Sequence, residues 1–308
     1  MDIISNRKIS KNILQWYPMD KNSNVLQIGY IEAEIIEELC NKTKNVTIIV
    51  ETEEQKQKII ENIKNNNIKI KVVTEIEKYS DNQYDYVTLI GTIKTYENKV
   101  EKKAYRRLEK FLKISNNLCK DSGKIILVLD NKYGMKSWTT LKADKNIICN
   151  QTYALSKKLI DKLLEMQGFK KYKYYYVLPD YNVPNAIFTD NYLPNLESIN
   201  RNFLYGAEEF ENFNQTEAYT EILKEDPQSF KFFANSFFVE IAKSELEDNG
   251  IEFVSYTNIR KSKYKIQTTI YEDRVEKTYA NNEAREHIRT ISQNIDIMNQ
   301  KGIKTLDR

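Results

Sequence analysis

The residues with the clearest chemical potential stand at the ends of short apolar runs. Gly29 closes NVLQIG (24–29), and Glu51 closes NVTIIVE (45–51), 22 positions later. Glycine lets a ligand lie against the backbone because no Cβ intervenes. A carboxylate ending the second of two such strands can accept both hydroxyls of a ribose, so the spacing suits a bound nucleoside. The same glutamate would also serve as a solvated strand cap. A second group follows two later runs. Thr92, Lys94 and Tyr96 come after YDYVTLIG (84–91), and Asp130, Asn131, Lys132 and Tyr133 come at the end of GKIILVLDN (123–131). Asp130 is the best candidate for a general base toward a hydroxyl, with Tyr133 beside it. Asp-Asn pairs also form plain turns.

Other chemistry is excluded or unsupported. His287 is the only histidine, which rules against a serine–histidine triad and a multi-histidine metal site. Cys40, Cys119 and Cys149 are far apart with no CxxC pair, so neither a disulfide framework nor a zinc site is expected. The chain has 308 residues, of which 41% are hydrophobic and 30% charged, enough for a substantial core. Its net charge of +3 gives no reason to expect nucleic acid or an anionic membrane surface. No apolar run reaches membrane-spanning length, and MDIISNRKISKN does not read as a signal peptide. A cytoplasmic location is expected.

The elements that must position these residues alternate. Strands are expected at 24–29, 45–51, 68–74, 84–91 and 123–131, with helices at 32–42, 53–65 and 102–119. Strand–helix alternation of this kind specifies a doubly wound, mostly parallel α/β sheet, which binds ligands at the carboxyl ends of its strands. A helix at 156–167, capped by Ser156 and stopped by Gly168, precedes a sixth strand at 170–180. SFFVEIAK (236–243) is expected to close the sheet as a seventh strand. In KYKYYYV, alternating lysines and tyrosines could stack single-stranded nucleic acid. A strand near a sheet edge, with Tyr172, Tyr174 and Tyr176 on one face, is the reading that the balanced charge favours. Trp16 and Tyr17 could cover a nucleoside or pack on the sheet, and the loop around Tyr181, Phe188 and Tyr192 could cover an acceptor.

Together, NILQWYP, NVLQIG, VTIIVE, YDYVTLIG, LDNKYGMKSW, YYVLPDYNVPNAIFTDNYLPN and FFANSFFVEI resemble a bacterial family of class I S-adenosylmethionine-dependent methyltransferases. That family is associated with surface-polysaccharide assembly. The resemblance runs from about Ser5 to Lys243. It implies a seven-stranded, Rossmann-like sheet with an antiparallel last strand near 237–242. It also implies S-adenosylmethionine as cofactor, contacted by Gln27, Gly29, Glu51, Gly91 and Thr92, and a sugar or other small-molecule hydroxyl as acceptor. The opening turn departs from the family pattern, which reads like VLEIGAGCGAIT. Gln27 replaces an acid, only Gly29 remains of the glycines, and Ile31 and Ala33 stand where others would be. Tyr30 and Ile31 should crowd the methionine end. Glu32 and Glu34 should compete with its carboxylate for the helix N-terminus. Weak binding, in the tens of micromolar or worse, is the expectation.

Residues 1–245 therefore read as a methyltransferase-like domain and 246–308 as a small C-terminal segment. In the segment, strands are expected within 254–260, 263–273 and 274–280, followed by a helix over 281–298. VSYTNIRKSKYKIQTTIYEDRVEKTYANNEAREHIR resembles the opening of a kinase-like region, which implies Lys277 as a phosphate-binding lysine and Glu283 or Glu286 as its partner. No catalytic or metal-binding aspartate of such a kinase follows, so a complete phosphotransferase is not expected. A β-rich appendage with surface charges reads equally well. Two functions compete: a methyltransferase in surface-glycan biosynthesis, and an inactive methyltransferase-like module that binds or scaffolds a partner. An oxidoreductase is disfavoured because GYIEA lacks phosphate-cradling glycines.

Overall fold

A computed structural model describes residues 9–63, 68–80, 83–96, 103–139, 153–199 and 215–303. In chain order the elements are α1 (Asn12–Gln15), β1 (Asn24–Ile28), α2 (Ala33–Lys42), β2 (Asn45–Val50), α3 (Glu53–Asn62), β3 (Ile68–Val72), β4 (Tyr84–Ile90), α4 (Thr92–Thr95), α5 (Ala104–Leu118), β5 (Cys119–Asp130) and α6 (Met135–Thr139). Then come α7 (Lys157–Met166), β6 (Lys171–Leu178), β7 (Ala186–Phe188), α8 (Leu196–Ile199), α9 (Gln215–Glu225), α10 (Phe230–Phe233), β8 (Ser236–Ala242), β9 (Ile251–Tyr256), β10 (Ile266–Tyr271), β11 (Val275–Tyr279) and α11 (Arg285–Gln300).

All eleven strands among the described residues lie in one sheet, in the order β11-β10-β9-β7-β6-β8-β5-β4-β1-β2-β3. The five from β3 to β5 are parallel. β8 runs antiparallel between β5 and β6. The antiparallel strand expected at 237–242 is thus present, inserted between its neighbours. The sheet exceeds the expected seven strands because β7 and the three strands after residue 250 extend it through the pairing of β7 with β9. β9 begins earlier than expected because Ile251, Phe253 and Val254 are buried, with Phe253 entering one layer and Ile251 and Val254 the other, whereas Asn258 lies past its end.

Helices cover both faces. On one face α5 and α7 bury Leu108, Phe111, Leu112, Ile160, Leu163 and Leu164 against strand residues such as Leu26, Leu89, Leu127, Tyr176 and Phe237. On the other, α1 and α2 pack Ile13, Trp16, Ile36 and Leu39 on Val25, Ile48, Val128 and Phe238. Phe237 and Phe238 show the alternation, with adjacent residues entering opposite layers. Trp16 is buried against Tyr175 and Phe238, with ring centroids 4.7 and 5.0 Å away. It therefore packs on the sheet. Tyr17 does likewise and donates to Glu240, 2.7 Å away. Tyr174 and Tyr176 are buried, and Tyr172 is partly so, so KYKYYYV is an interior strand and not an exposed stacking platform.

Candidate functional site

The carboxyl ends of β1, β2, β4 and β5 bring most of the candidate residues together. Gly29 follows β1 with φ +92°, a left-handed conformation that favours glycine, and its N–H bonds the Ile49 carbonyl at 2.8 Å. Gly91, after β4, has φ +61° and begins α4. Thr92 is buried and its hydroxyl donates to the Ile28 carbonyl at 2.5 Å, tying the ends of β4 and β1 together. A Cβ on Gly29 would lie 2.9 Å from the Thr95 hydroxyl oxygen and 3.4 Å from the Thr92 Cα. The space beside the glycine is thus occupied by α4.

Gln27 is completely buried, and its amide is fully used. Nε2 donates to the carbonyls of Ile28 and Gly29, at 2.8 and 3.2 Å, and Oε1 accepts from Thr88 at 2.6 Å. The side chain therefore fastens the turn from inside. A glutamate in its place would set carboxylate oxygens against those carbonyls, with no donor to meet them. Ile31 is also buried, in the layer formed with α2, whereas Tyr30 is half-buried. The Glu32 side chain makes no capping hydrogen bond at α2, although competition for these amides was expected from it.

Glu51 lies at the end of β2, partly exposed. Its N–H donates to Gln55 Oε1 at 2.9 Å, and Gln55 Nε2 donates to the Thr95 carbonyl at 3.0 Å. Gln55, which no motif marks, therefore links the ends of β2 and β4. Tyr96 turns inward, and its hydroxyl donates to the Val73 carbonyl. Burial, then the nearby Glu51 and Glu77 carboxylates, raise its phenol well above the ordinary range. Of the residues expected to face an acceptor here, Lys94 is exposed and Thr92 and Tyr96 are not.

The β5 end carries the second group. Asp130 Oδ1 accepts from Lys136 Nζ at 2.5 Å and from Ser236 Oγ at 2.8 Å. Lys136 also reaches Asp180 Oδ2 at 3.2 Å. Burial opposes ionisation of Asp180, but Lys136 and the N–H groups of Asn182 and Val183 outweigh it and hold the carboxyl below its usual range. Burial also works against the Lys136 ammonium, and the two aspartates reverse that and raise it. Asn131 is buried with its amide on the carbonyls of Phe232 and Ala234, so it braces the turn. Tyr133 is 47% exposed, and its N–H bonds Asn131 Oδ1 at 3.1 Å. Tyr181 adjoins Gly91: a Cβ there would lie 3.4 Å from the Tyr181 hydroxyl. Lys136 lies six positions from Asp130, whereas Asp180 and Ser236 join the cluster only through folding, Ser236 from 106 positions away.

Other candidates fall outside this edge. Lys277, Glu283 and Glu286 are exposed, and Glu286 approaches Arg289 at 4.0 Å. Burial pushes the Cys40 thiol up to about 11 and the Cys119 thiol to about 12, so neither is a thiolate near neutral pH. Cys149 lies outside the described residues. Among the described residues no helix is long and apolar enough to cross a membrane.

No protein-family model matches the sequence, and no curated protein matches it. Solved structures resemble it in outline. An S-adenosylmethionine-dependent methyltransferase from Archaeoglobus fulgidus is 16% identical, with 77% of this chain and 94% of that one covered and a TM-score of 0.46. A methyltransferase of the same cofactor class from Thermotoga maritima is 11% identical, with coverage of 77% and 88% and a TM-score of 0.46. The phosphoethanolamine N-methyltransferase 2 of Haemonchus contortus, in complex with S-adenosylhomocysteine, is 16% identical, with coverage of 77% and 52% and a TM-score of 0.46. At these identities nothing about activity passes from them to this chain.

Proposed function

We propose that the protein is a class I methyltransferase-like protein that takes S-adenosylmethionine at the carboxyl ends of β1, β2 and β4. The observation that carries this reading is the pairing of Gly29, in a left-handed turn after β1, with Glu51 at the end of adjacent β2. The donor set suits the cofactor in kind. Glu51 would accept the ribose hydroxyls, Gly29 would let the ligand approach the backbone, and Gly91 and Thr92 would border it. Bound there, the cofactor would supply a methyl carbon on a sulfonium, open to displacement. Such a transfer rests largely on positioning, with a base needed only where the acceptor must lose a proton. Among the described residues both hydrogen bonds on the Asp130 carboxylate fall on Oδ1, so Oδ2 would take that proton from a sugar or other small-molecule hydroxyl. A surface-glycan acceptor is suggested only by the family resemblance of the sequence.

A second reading, a non-catalytic module, is favoured by one observation: Thr95 and Thr92 already stand against Gly29. Cofactor binding then requires α4 to yield, which lowers affinity. Calorimetry with S-adenosylmethionine and S-adenosylhomocysteine separates the readings. The expected affinity is tens of micromolar, about −6 kcal/mol. Glu51→Ala should remove roughly 1.5–3 kcal/mol of it, the range for a hydrogen bond to a charged group. No heat with either ligand would support the non-catalytic reading, and unchanged affinity in Glu51→Ala would place the ligand elsewhere.

A further inference from the structure

Helix α5 begins without a negative charge of its own. The helix has 15 residues, its first turn contains no acidic residue, and Lys103 at the N-cap makes no side-chain cap hydrogen bond. A helix N-terminus attracts negative charge but does not by itself define a site. Arg107, the fourth residue of the helix, is a separate observation. It is only 4% exposed. Among the described residues no carboxylate pairs with it. Its Nη2 donates to the Tyr96 carbonyl, and its guanidinium carbon lies 5.3 Å from the centre of the Tyr153 ring. Its Nε is buried with no hydrogen-bond partner. Its place as the fourth helical residue sets it at the end of the first turn.

A guanidinium keeps its charge in proteins, and a buried charge is ordinarily paired. Arg106 does not compete for the same ligand, because it pairs with Glu109 at 3.2 Å. We propose that the N-terminal turn of α5, with Arg107 behind it, binds an oxyanion, the phosphate or carboxylate group of a small-molecule ligand. The planar fork of the guanidinium suits both groups, and the helix amides supply further donors. Tyr96, which anchors Arg107, directly follows α4, so an anion held here lies on the β4 side of the candidate cofactor turn. This inference stands whether or not the cofactor binds.

The test uses the full chain, titrated calorimetrically with sodium phosphate and, separately, with sodium acetate at constant ionic strength. Saturable binding of either ion is expected, and the ion bound more tightly identifies the group. Arg107→Met should weaken that binding about tenfold or more, since it removes a charge-assisted pair. Tyr105→Glu leaves Arg107 in place and puts a carboxylate in the first turn. It should weaken anion binding similarly. If Arg107→Met does not fold, Tyr105→Glu decides alone. The proposal is overturned if neither ion binds saturably, or if the variants that fold bind like the unaltered chain.

Discussion

The sheet has two unlike halves. From β3 to β5 the strands are parallel, sandwiched between helices, and built from aliphatic runs such as VLQI and VTIIV with few exposed positions. From β8 to β11 they are antiparallel and progressively less covered. β8 is buried along its whole length, and β11 is exposed at four of its five residues. In the first half, position is dictated by uninterrupted apolar sequence, because both faces are covered. In the second it is dictated by aromatic contacts such as Tyr174 with Phe237 and Phe188 with Phe253, and by antiparallel pairing. The ionic cluster of Asp130, Lys136 and Asp180 sits at the seam, where Asp130 of β5 pairs in register with Ser236 of β8.

If the aromatic layer holds the second half together, its removal should have the largest effect. Phe237→Ala should cost about 3–5 kcal/mol in chemical denaturation, the range for a buried phenylalanine. A loss under about 1 kcal/mol would mean that the halves are fastened elsewhere. Lys136→Met tests the seam. It leaves two carboxylates near each other without their cation and should cost about 3 kcal/mol, the low end for a broken buried pair, because Lys136 retains some exposure. The pH dependence sharpens this. The Asp180 carboxyl is depressed in the folded chain, so its stabilisation is present above the unfolded carboxylate value and is lost as acidification passes its folded value. The acid limb of stability, below about pH 4, should therefore be shallower in Asp180→Asn, as measured by thermal melting across pH. In the parallel half, Thr52 accepts from the Gln55 N–H and caps α3, so Thr52→Ala should cost about 1 kcal/mol. Lys277→Ala, on exposed β11, should change stability by less than about 0.5 kcal/mol.

The parallel half was legible because its strands are continuous apolar runs and its helices have regular inward faces. β1, β2, β4, α5 and α7 fall within a few residues of their expected spans, and Gly29 and Gly91 occupy the turns that the pattern marks. The antiparallel half was less so. β7 has three residues, too few for a period, and its pairing with β9 spans a separation that no local signal reports. The site shows the same division. Gly29 and Glu51 could be found from strand ends, whereas Lys136 and Asp180 could not be paired from spacing. Gln27 was legible as a departure from a family pattern, but its role was not. Only the structure shows that its amide joins three carbonyls, those of Ile28, Gly29 and Ile90. Replacing it with glutamate, Ile31 with glycine and Ala33 with glycine to restore a family-like turn would therefore disturb the interior before it reached any ligand.

The two outer strands of the sheet bear on how the molecule behaves in a crowded solution. A terminal strand offers a row of backbone donors and acceptors that can recruit a strand from another copy. At one edge β3 carries Lys69 and Lys71, and at the other β11 carries Glu276 and Lys277, next to Arg274. Joining two β3 edges would bring ammonium groups together along the new ladder, and joining β11 edges would require exposed charges to lose their water. Charges placed this way disfavour open-ended polymerisation, which suits a sheet that, among the described residues, ends at both sides without a closing strand.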